Sequence, residues 1–183
     1  EGQKRDMEWE SKWGKGFPGW HLECSVMARE LLGDQIDIHT GGIDHIPVHH
    51  TNEIAQSESV TGKQFSQFWI HANHMKVNGT KMSKSLGNIY TLEDIQKKGY
   101  DLEAFKLMIL SKHYRTEGNF TWENLEAAQN RLNEIRAWAD LRFQPSTEEM
   151  PRELDQLFKT TREDILSALQ DDLNSPAALQ ALG

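Results

Sequence analysis

Between Trp20 and Leu32 apolar side chains recur at helical spacing, at Trp20, Cys24, Met27 and Leu31, and Gly33 follows where a C-terminal cap belongs. The pattern predicts a helix. Gln35 to His39 then alternates polar and apolar residues in steps of two, which predicts a short strand, and Thr40-Gly-Gly-Ile-Asp44 breaks it with a glycine loop. Pro47 precedes a polar stretch expected to be helical through about Val60. Aromatic and β-branched residues in Phe68-Trp-Ile-His71, followed by His74-Met-Lys-Val77, predict extended chain, and Asn78-Gly79 is a turn dipeptide. Helices alternating with short strands predict an α/β fold built on a parallel sheet.

Past Asn88 the pattern changes, and no further strand is expected. Thr91-Leu-Glu-Asp94 reads as a capped helix start, Asp101 to Tyr114 as a second helix, and Thr121-Trp-Glu-Asn124 as the start of a third running through Trp138. Gln144-Pro145-Ser146 is expected to be a hinge. An amphipathic helix ending near Leu173 follows it, then a stub from Ser175-Pro176 to Gly183 too short to complete a further element. No internal repeat or low-complexity tract interrupts this order.

Composition narrows the class. Of 183 residues, 37% are hydrophobic and 26% charged, the balance of a soluble globular protein rather than a disordered one. No run approaches the roughly 18 apolar residues that a membrane helix needs, so no membrane partner is expected. The single cysteine, Cys24, excludes an intrachain disulfide and points to the cytoplasm. A formal charge of −8 argues against indiscriminate nucleic-acid binding, because such affinity comes from Lys and Arg displacing counterions. Lysines do gather between Lys76 and Lys112, leaving room for one basic face. The opening run from Glu1 to Lys12 is polar and lacks both an initiator methionine and a secretory core, so the chain is read as cut from a longer one.

Two constellations carry chemistry. Cys24, His49 and Glu53 offer a thiolate, an imidazole and a carboxylate, a usual zinc set. Spacing of four puts His49 and Glu53 on one helix face, with His45 the only other candidate on that side, whereas His50, whose residue four along is Ile54, is expected to point elsewhere. Taken singly, a cysteine such as Cys24 is more often a small buried hydrophobe, and a His and Glu four apart often a solvated pair. The second constellation is Lys81-Met-Ser-Lys-Ser85, two ammonium groups three residues apart between Gly79 and Gly87, suited to neutralising a polyphosphate. A solvated basic turn is the plain alternative, but this string is the signature of class I aminoacyl-tRNA synthetases.

The order of longer motifs is more specific. Phe17-Pro-Gly-Trp-His-Leu-Glu-Cys-Ser-Val-Met27, Gly42-x-Asp44, His49-His50-x-Asn52-Glu53, Lys81-Met-Ser-Lys-Ser-Leu-Gly-Asn88 and Asp171-Asp-Leu-Asn-Ser-Pro-Ala-Ala-Leu179 together resemble the cysteinyl-tRNA synthetase family along practically the whole chain. The resemblance implies the second half of a class I Rossmann-like catalytic domain over residues 1–90, a helical stem-contact region over 91–143 and a truncated helical bundle over 144–183. It implies a zinc ion held by two cysteines, a histidine and a glutamate, of which Cys24, His49 and Glu53 are present and the other cysteine would lie upstream. It also implies that Trp20 lies against the bound amino acid and that Gly42 and Asp44 hold the adenosine ribose. Lys84, and less directly Lys81, would steady the phosphates of ATP.

The implied activity joins L-cysteine to tRNA(Cys) through a cysteinyl-adenylate, using ATP with Mg2+, in a cytoplasmic monomer. Two departures stand against the pattern. Pro47-Val48 occupies the place of the family's phenylalanine-proline pair, and no His-Ile-Gly-His type motif occurs anywhere in the chain. The chain alone is therefore expected to be inactive. Rival readings are the cysteine ligase of mycothiol synthesis and a non-catalytic module that binds tRNA or a protein partner.

Overall fold

In the computed structural model, which describes residues 7–145 and 151–183, a small hairpin of β1 (Trp9–Ser11) and β2 (Gly14–Gly16) opens the described chain. The polar run was not expected to form strands. Ser11 makes the turn possible: its Oγ donates to Gly14 O at 2.7 Å, and Gly14 takes φ +102°, open to glycine at little cost. The first six residues of that run, and Ser146 of the expected hinge, lie outside the described residues.

Two compact units follow from the packing, residues 1–72 and 73–183. In the first, α1 (His21–Leu32), β3 (Ile36–Gly42), α2 (Thr51–Thr61) and β4 (Ser66–Ala72) succeed one another. β3 and β4 pair in parallel, Ile36 opposite Ser66 and Gly42 opposite Ala72, with α2 as the crossover, so the expected parallel α/β unit is present. Gly33 ends α1 with φ +97° and Gly62 ends α2 in the left-handed region with φ +67°. Between β3 and α2 the chain makes a 3-10 turn (Ile43–His45) and a π-helical turn (Ile46–His50), so the helix expected from Pro47 becomes regular only at Thr51.

The apolar stripe of α1 does not face the interior. Trp20, Met27 and Leu31 are exposed, while Ser25 is buried and donates from Oγ to Gln56 Oε1 at 2.9 Å on α2. Periodicity located the helix correctly, but of its stripe only Cys24 is turned towards α2, beside the buried Ser25. Across this unit the buried side chains are chiefly polar: Ser25, His49, His50, Glu53, Ser57 and Ser66 beside Ile36 and Phe65.

The second unit has an apolar core. β5 (Met75–Val77) pairs in parallel with β6 (Gly118–Phe120), and α3 (Leu92–Lys97), α4 (Leu102–Leu110) and α5 (Trp122–Asp140) pack around them. Val77, Ile95, Ala104, Met108, Phe120 and Leu125 are buried together. The capping box expected at α3 is present, Thr91 Oγ1 accepting from Asp94 N at 3.2 Å and Asp94 Oδ2 from Thr91 N at 2.8 Å.

Three expectations need correction. β6 exists although no strand was expected beyond Asn88; with three residues, two of them Gly and Asn, it has no local β signal, and pairing with β5 creates it. The second helix stops at Leu110 rather than Tyr114, because Tyr114 leaves the helix to accept from Asn73 N at 2.7 Å. The terminal stub is not idle. It forms α7 (Ser175–Ala181), capped by Asn174 Oδ1 and packed on α6 (Arg152–Gln170) with Ala178 buried. Pairing of β5 with β6 ties the start of the lysine loop to the second unit. No helix among the described residues is long and apolar enough to cross a membrane.

Candidate metal centre and lysine loop

Six of the eight histidines fall in the first unit, and three of them, His39, His49 and His50, converge on one carboxylate. Glu53, on the first turn of α2, is fully buried, and its Oε1 has no hydrogen-bond partner. Its Oε2 lies 2.9 Å from His39 Nε2, 3.7 Å from His49 Nε2 and 3.8 Å from His50 Nε2. A buried carboxylate with one oxygen unsatisfied costs stability unless a cation or proton compensates it.

Cys24 approaches from α1. One donor atom each from Cys24, His49 and Glu53 lies within 4.8 Å of the others, so the structure brings the three expected ligands together. The donors fit zinc by type: sulfur, imidazole nitrogen and carboxylate oxygen, the carboxylate having one oxygen unpartnered. Burial, then the Glu53 and Glu23 carboxylates, pushes the Cys24 thiol above its ordinary range, so without a cation it keeps its proton. Burial holds His49 below the usual histidine range, leaving its nitrogens neutral and able to donate a lone pair.

Neighbouring rings set the orientation of His49. Trp20, the residue before α1, stacks on its imidazole with ring centres 3.6 Å apart and planes 12° from parallel. His21 Nδ1 lies 2.8 Å from His49 Nδ1. With His49 donating in that bond, its Nε2 turns a bare lone pair towards Glu53, the tautomer a metal requires.

His50 departs from its expected direction. The π-helical turn carries His49 and His50 to the same carboxylate, and burial, with the neighbouring imidazoles, drives His50 down to about 4. Its Nδ1 lies 2.7 Å from His71 Nε2 on β4. Gly41 permits the approach: a Cβ there would stand 2.6 Å from His50 Cε1, 2.7 Å from His45 Nδ1 and 2.9 Å from His50 Nε2. Sequence reasoning singled out neither Gly41, His39 nor His21. The adjacent glycines Gly41-Gly42, read from the sequence as a loop after the predicted strand, were the available sign of a close approach.

Gly42 ends β3 and caps the 3-10 turn that holds Asp44. In the second unit the lysine loop leaves the turn at Asn78 and Gly79, with φ +50° and +72°. Ser83 caps a short 3-10 turn (Lys84–Leu86), accepting from Leu86 N at 3.2 Å. Asn88 ties the loop shut: its Oδ1 accepts from Ser83 N at 2.8 Å and its Nδ2 donates to Lys81 O at 3.1 Å. Lys81 and Lys84 thus extend from a backbone held by Asn88, a residue to which the sequence motif assigned no role.

The family model for class I (C) tRNA synthetase catalytic domains matches residues 1–130. The chain belongs to the cysteinyl-tRNA synthetase family. It is 48% identical over 184 residues to the cysteine–tRNA ligase of Chlamydia felis, covering 98% of this chain and 39% of that protein. The cysteine–tRNA ligase of Opitutus terrae is 47% identical over 177 residues, 97% of this chain and 36% of that protein. The chain therefore spans about two-fifths of the length of these relatives. Among solved structures, an Agrobacterium radiobacter K84 LeuRS–tRNA–LeuAMS complex matches with TM-score 0.66 and 18% identity, over 80% of this chain and 21% of that one. Mycobacterium tuberculosis methionyl-tRNA synthetase with methionyl-adenylate matches with TM-score 0.58 and 19% identity, over 80% of this chain and 31% of that one. At those identities the likeness shows the class I synthetase fold of this family member.

Proposed function

We propose that the chain is the part of a cysteine–tRNA ligase that senses the substrate's sulfur and steadies ATP. One observation carries the reading: Cys24, His49 and the buried Glu53, with its unpartnered Oε1, converge within 4.8 Å. Zinc held by these three residues supplies a soft acceptor for the thiolate of L-cysteine, which the hydroxyl of serine cannot match. Trp20 covers the bound amino acid from the side on which it now stacks with His49. Gly42 lets the nucleotide approach the end of β3, and Asp44 accepts hydrogen bonds from the adenosine ribose.

Activation proceeds by attack of the cysteine carboxylate on the α-phosphate of Mg2+-bound ATP, forming the adenylate and releasing pyrophosphate. Lys84, assisted by Lys81, stabilises the negative charge growing on the departing phosphates. A terminal ribose hydroxyl of tRNA(Cys) then attacks the adenylate carbonyl and displaces AMP. No side chain here forms a covalent bond to substrate, so catalysis rests on positioning and charge. The relatives' shared name favours tRNA over an amino-sugar acceptor. The setting is the cytoplasm and the working form a monomer.

Cysteine-dependent exchange of pyrophosphate into ATP tests the proposal. The 183-residue chain alone is expected to give none. A full-length ligase carrying these residues is expected to be active, to lose both zinc and exchange with Cys24→Ala, and with Lys84→Ala to lose about 10²- to 10³-fold in rate while keeping its zinc. Exchange by the isolated chain, or a full-length Cys24→Ala protein that retains both zinc and rate, would refute it.

A further inference from the structure

We propose that Glu53 serves two alternative donor sets, and that His39, His50 and Glu53 form a second position for one divalent cation that needs no thiolate. One donor atom from each of these three residues lies within 4.8 Å of the others, as in the Cys24 set. His39 Nε2 and His50 Nε2 stand 2.9 and 3.8 Å from Glu53 Oε2. Around a tetrahedral ion with bonds of 2.0–2.1 Å, neighbouring donors lie about 3.3 Å apart, a separation these two distances bracket.

Each partner is already held for the task. His50 is fixed through Nδ1 by His71 Nε2 at 2.7 Å, which leaves Nε2 as the atom facing the carboxylate. Such an outer bond is what usually orients a metal-binding imidazole. His39 is set on β3 between Trp69 and Phe65, with ring centres 4.9 and 5.4 Å away, an apolar collar that limits water on that side. Gly41 leaves the space that His50 Nε2 fills. The sign of a ligand, shared with the Cys24 set, is Glu53 itself, fully buried with Oε1 unpartnered.

The chemistry of the two sets differs. Cys24, His49 and Glu53 make a soft set; two imidazoles and a carboxylate make a harder one, the combination that holds catalytic zinc and non-haem iron with positions left open. His49 Nε2 and His50 Nε2 both face Oε2 of the same residue, so the sets compete for one ion instead of holding two. The inference goes beyond the zinc role proposed above, which uses Cys24.

Cobalt titrated into the intact, chelator-stripped chain separates the two sets. A near-ultraviolet thiolate-to-cobalt band reports the Cys24 set, and the visible ligand-field bands report either one. The untreated sequence is expected to bind one cobalt per chain with both signals. In Cys24→Ala the thiolate band is expected to vanish while one cobalt still binds, with affinity lowered by no more than about tenfold. Adding His39→Gln or His50→Gln to Cys24→Ala is expected to weaken binding beyond the roughly 10- to 100-fold that loss of an outer-shell partner costs. A readout free of the histidine variants is nitrogen NMR of histidine-labelled Cys24→Ala with zinc: the Nε2 signals of His39 and His50 are expected to move, and those of His49 to stay. Loss of all cobalt in Cys24→Ala, movement of His49 in place of His39 and His50, or two cobalt ions on one chain would overturn the inference. Absence of the thiolate band in the unmodified chain would instead refute Cys24 as a ligand and leave the histidine site standing.

Discussion

Gly41 shows how much of the site rests on a single missing atom. The strand backbone and the rings of His45 and His50 meet where a Cβ would be, with the nearest contacts at 2.6 and 2.7 Å. Imidazoles are rigid, and His50 is further pinned by His71, so its ring does not yield without losing its place near Glu53. Gly41→Ala is expected to destabilise the chain by about 1–3 kcal/mol through overpacking, and to weaken zinc and cobalt binding as His50 is displaced. Urea unfolding and metal titration check it, with Gly16→Ala, where nothing lies within 4 Å, as the control expected to change little. Equal effects of the two substitutions would show that the close approach does not matter. At this scale the sequence was partly legible. Cys24, His49 and Glu53 could be found because their types and spacing are a donor pattern, whereas His39 and His50 join the site through a strand register and a π-helical turn, neither of which has a local signature.

Between elements, the same contrast recurs. The starts of α3 and α5 were readable because Thr91 and Thr121 cap their own helices, a local event. β6 and the end of α4 were not, because both are set by partners far along the chain. The junction of α6 and α7 is a third case. Asp172 accepts from the Tyr114 hydroxyl at 2.6 Å and from Arg115 Nη2 at 3.0 Å, tying the segment after α4 to the two terminal helices. The hydrogen bonds from Arg115 and then Tyr114 hold its carboxyl down to about 2, against an ordinary 3.8. Since the folded value lies below the unfolded one, this tie contributes fully above about pH 4 and fades as the pH falls towards 2. Asp172→Asn keeps an acceptor and tolerates the observed φ of +52°, so it removes the charge alone. Amide exchange in α7 is expected to be faster in the variant than in the parent at pH 6, with the difference closing near pH 2. A difference that persists at pH 2 would mean that charge on Asp172 is not the source.

Taken whole, the chain holds two units built on different physics. Residues 73–183 bury Val77, Ile95, Ala104, Met108, Phe120 and Leu125 together, a continuous apolar core that gains from removal from water. Residues 1–72 bury chiefly polar groups around Glu53, and leave Ile38 and Phe68 of their sheet exposed. A parallel sheet is normally covered on both faces, so this unit obtains little hydrophobic stabilisation from its own strands. Its buried carboxylate is also a cost that a bound cation would relieve. Unfolding is therefore expected in two steps, the first unit opening at lower urea than the second. Trp69 reports the first and Trp122 the second, each as the tryptophan retained while the others are replaced by Phe. Zinc at about a hundred times its dissociation constant is expected to raise the first step by about 2.7 kcal/mol and leave the second in place. Leu125→Ala, at a fully buried position of the second core, is expected to do the reverse, lowering only the second step by about 2–5 kcal/mol. A single transition that moves as one under both zinc and Leu125→Ala would show that the polar unit draws its stability from the apolar one, and that the metal cluster is folded by its neighbour and not by its ligand.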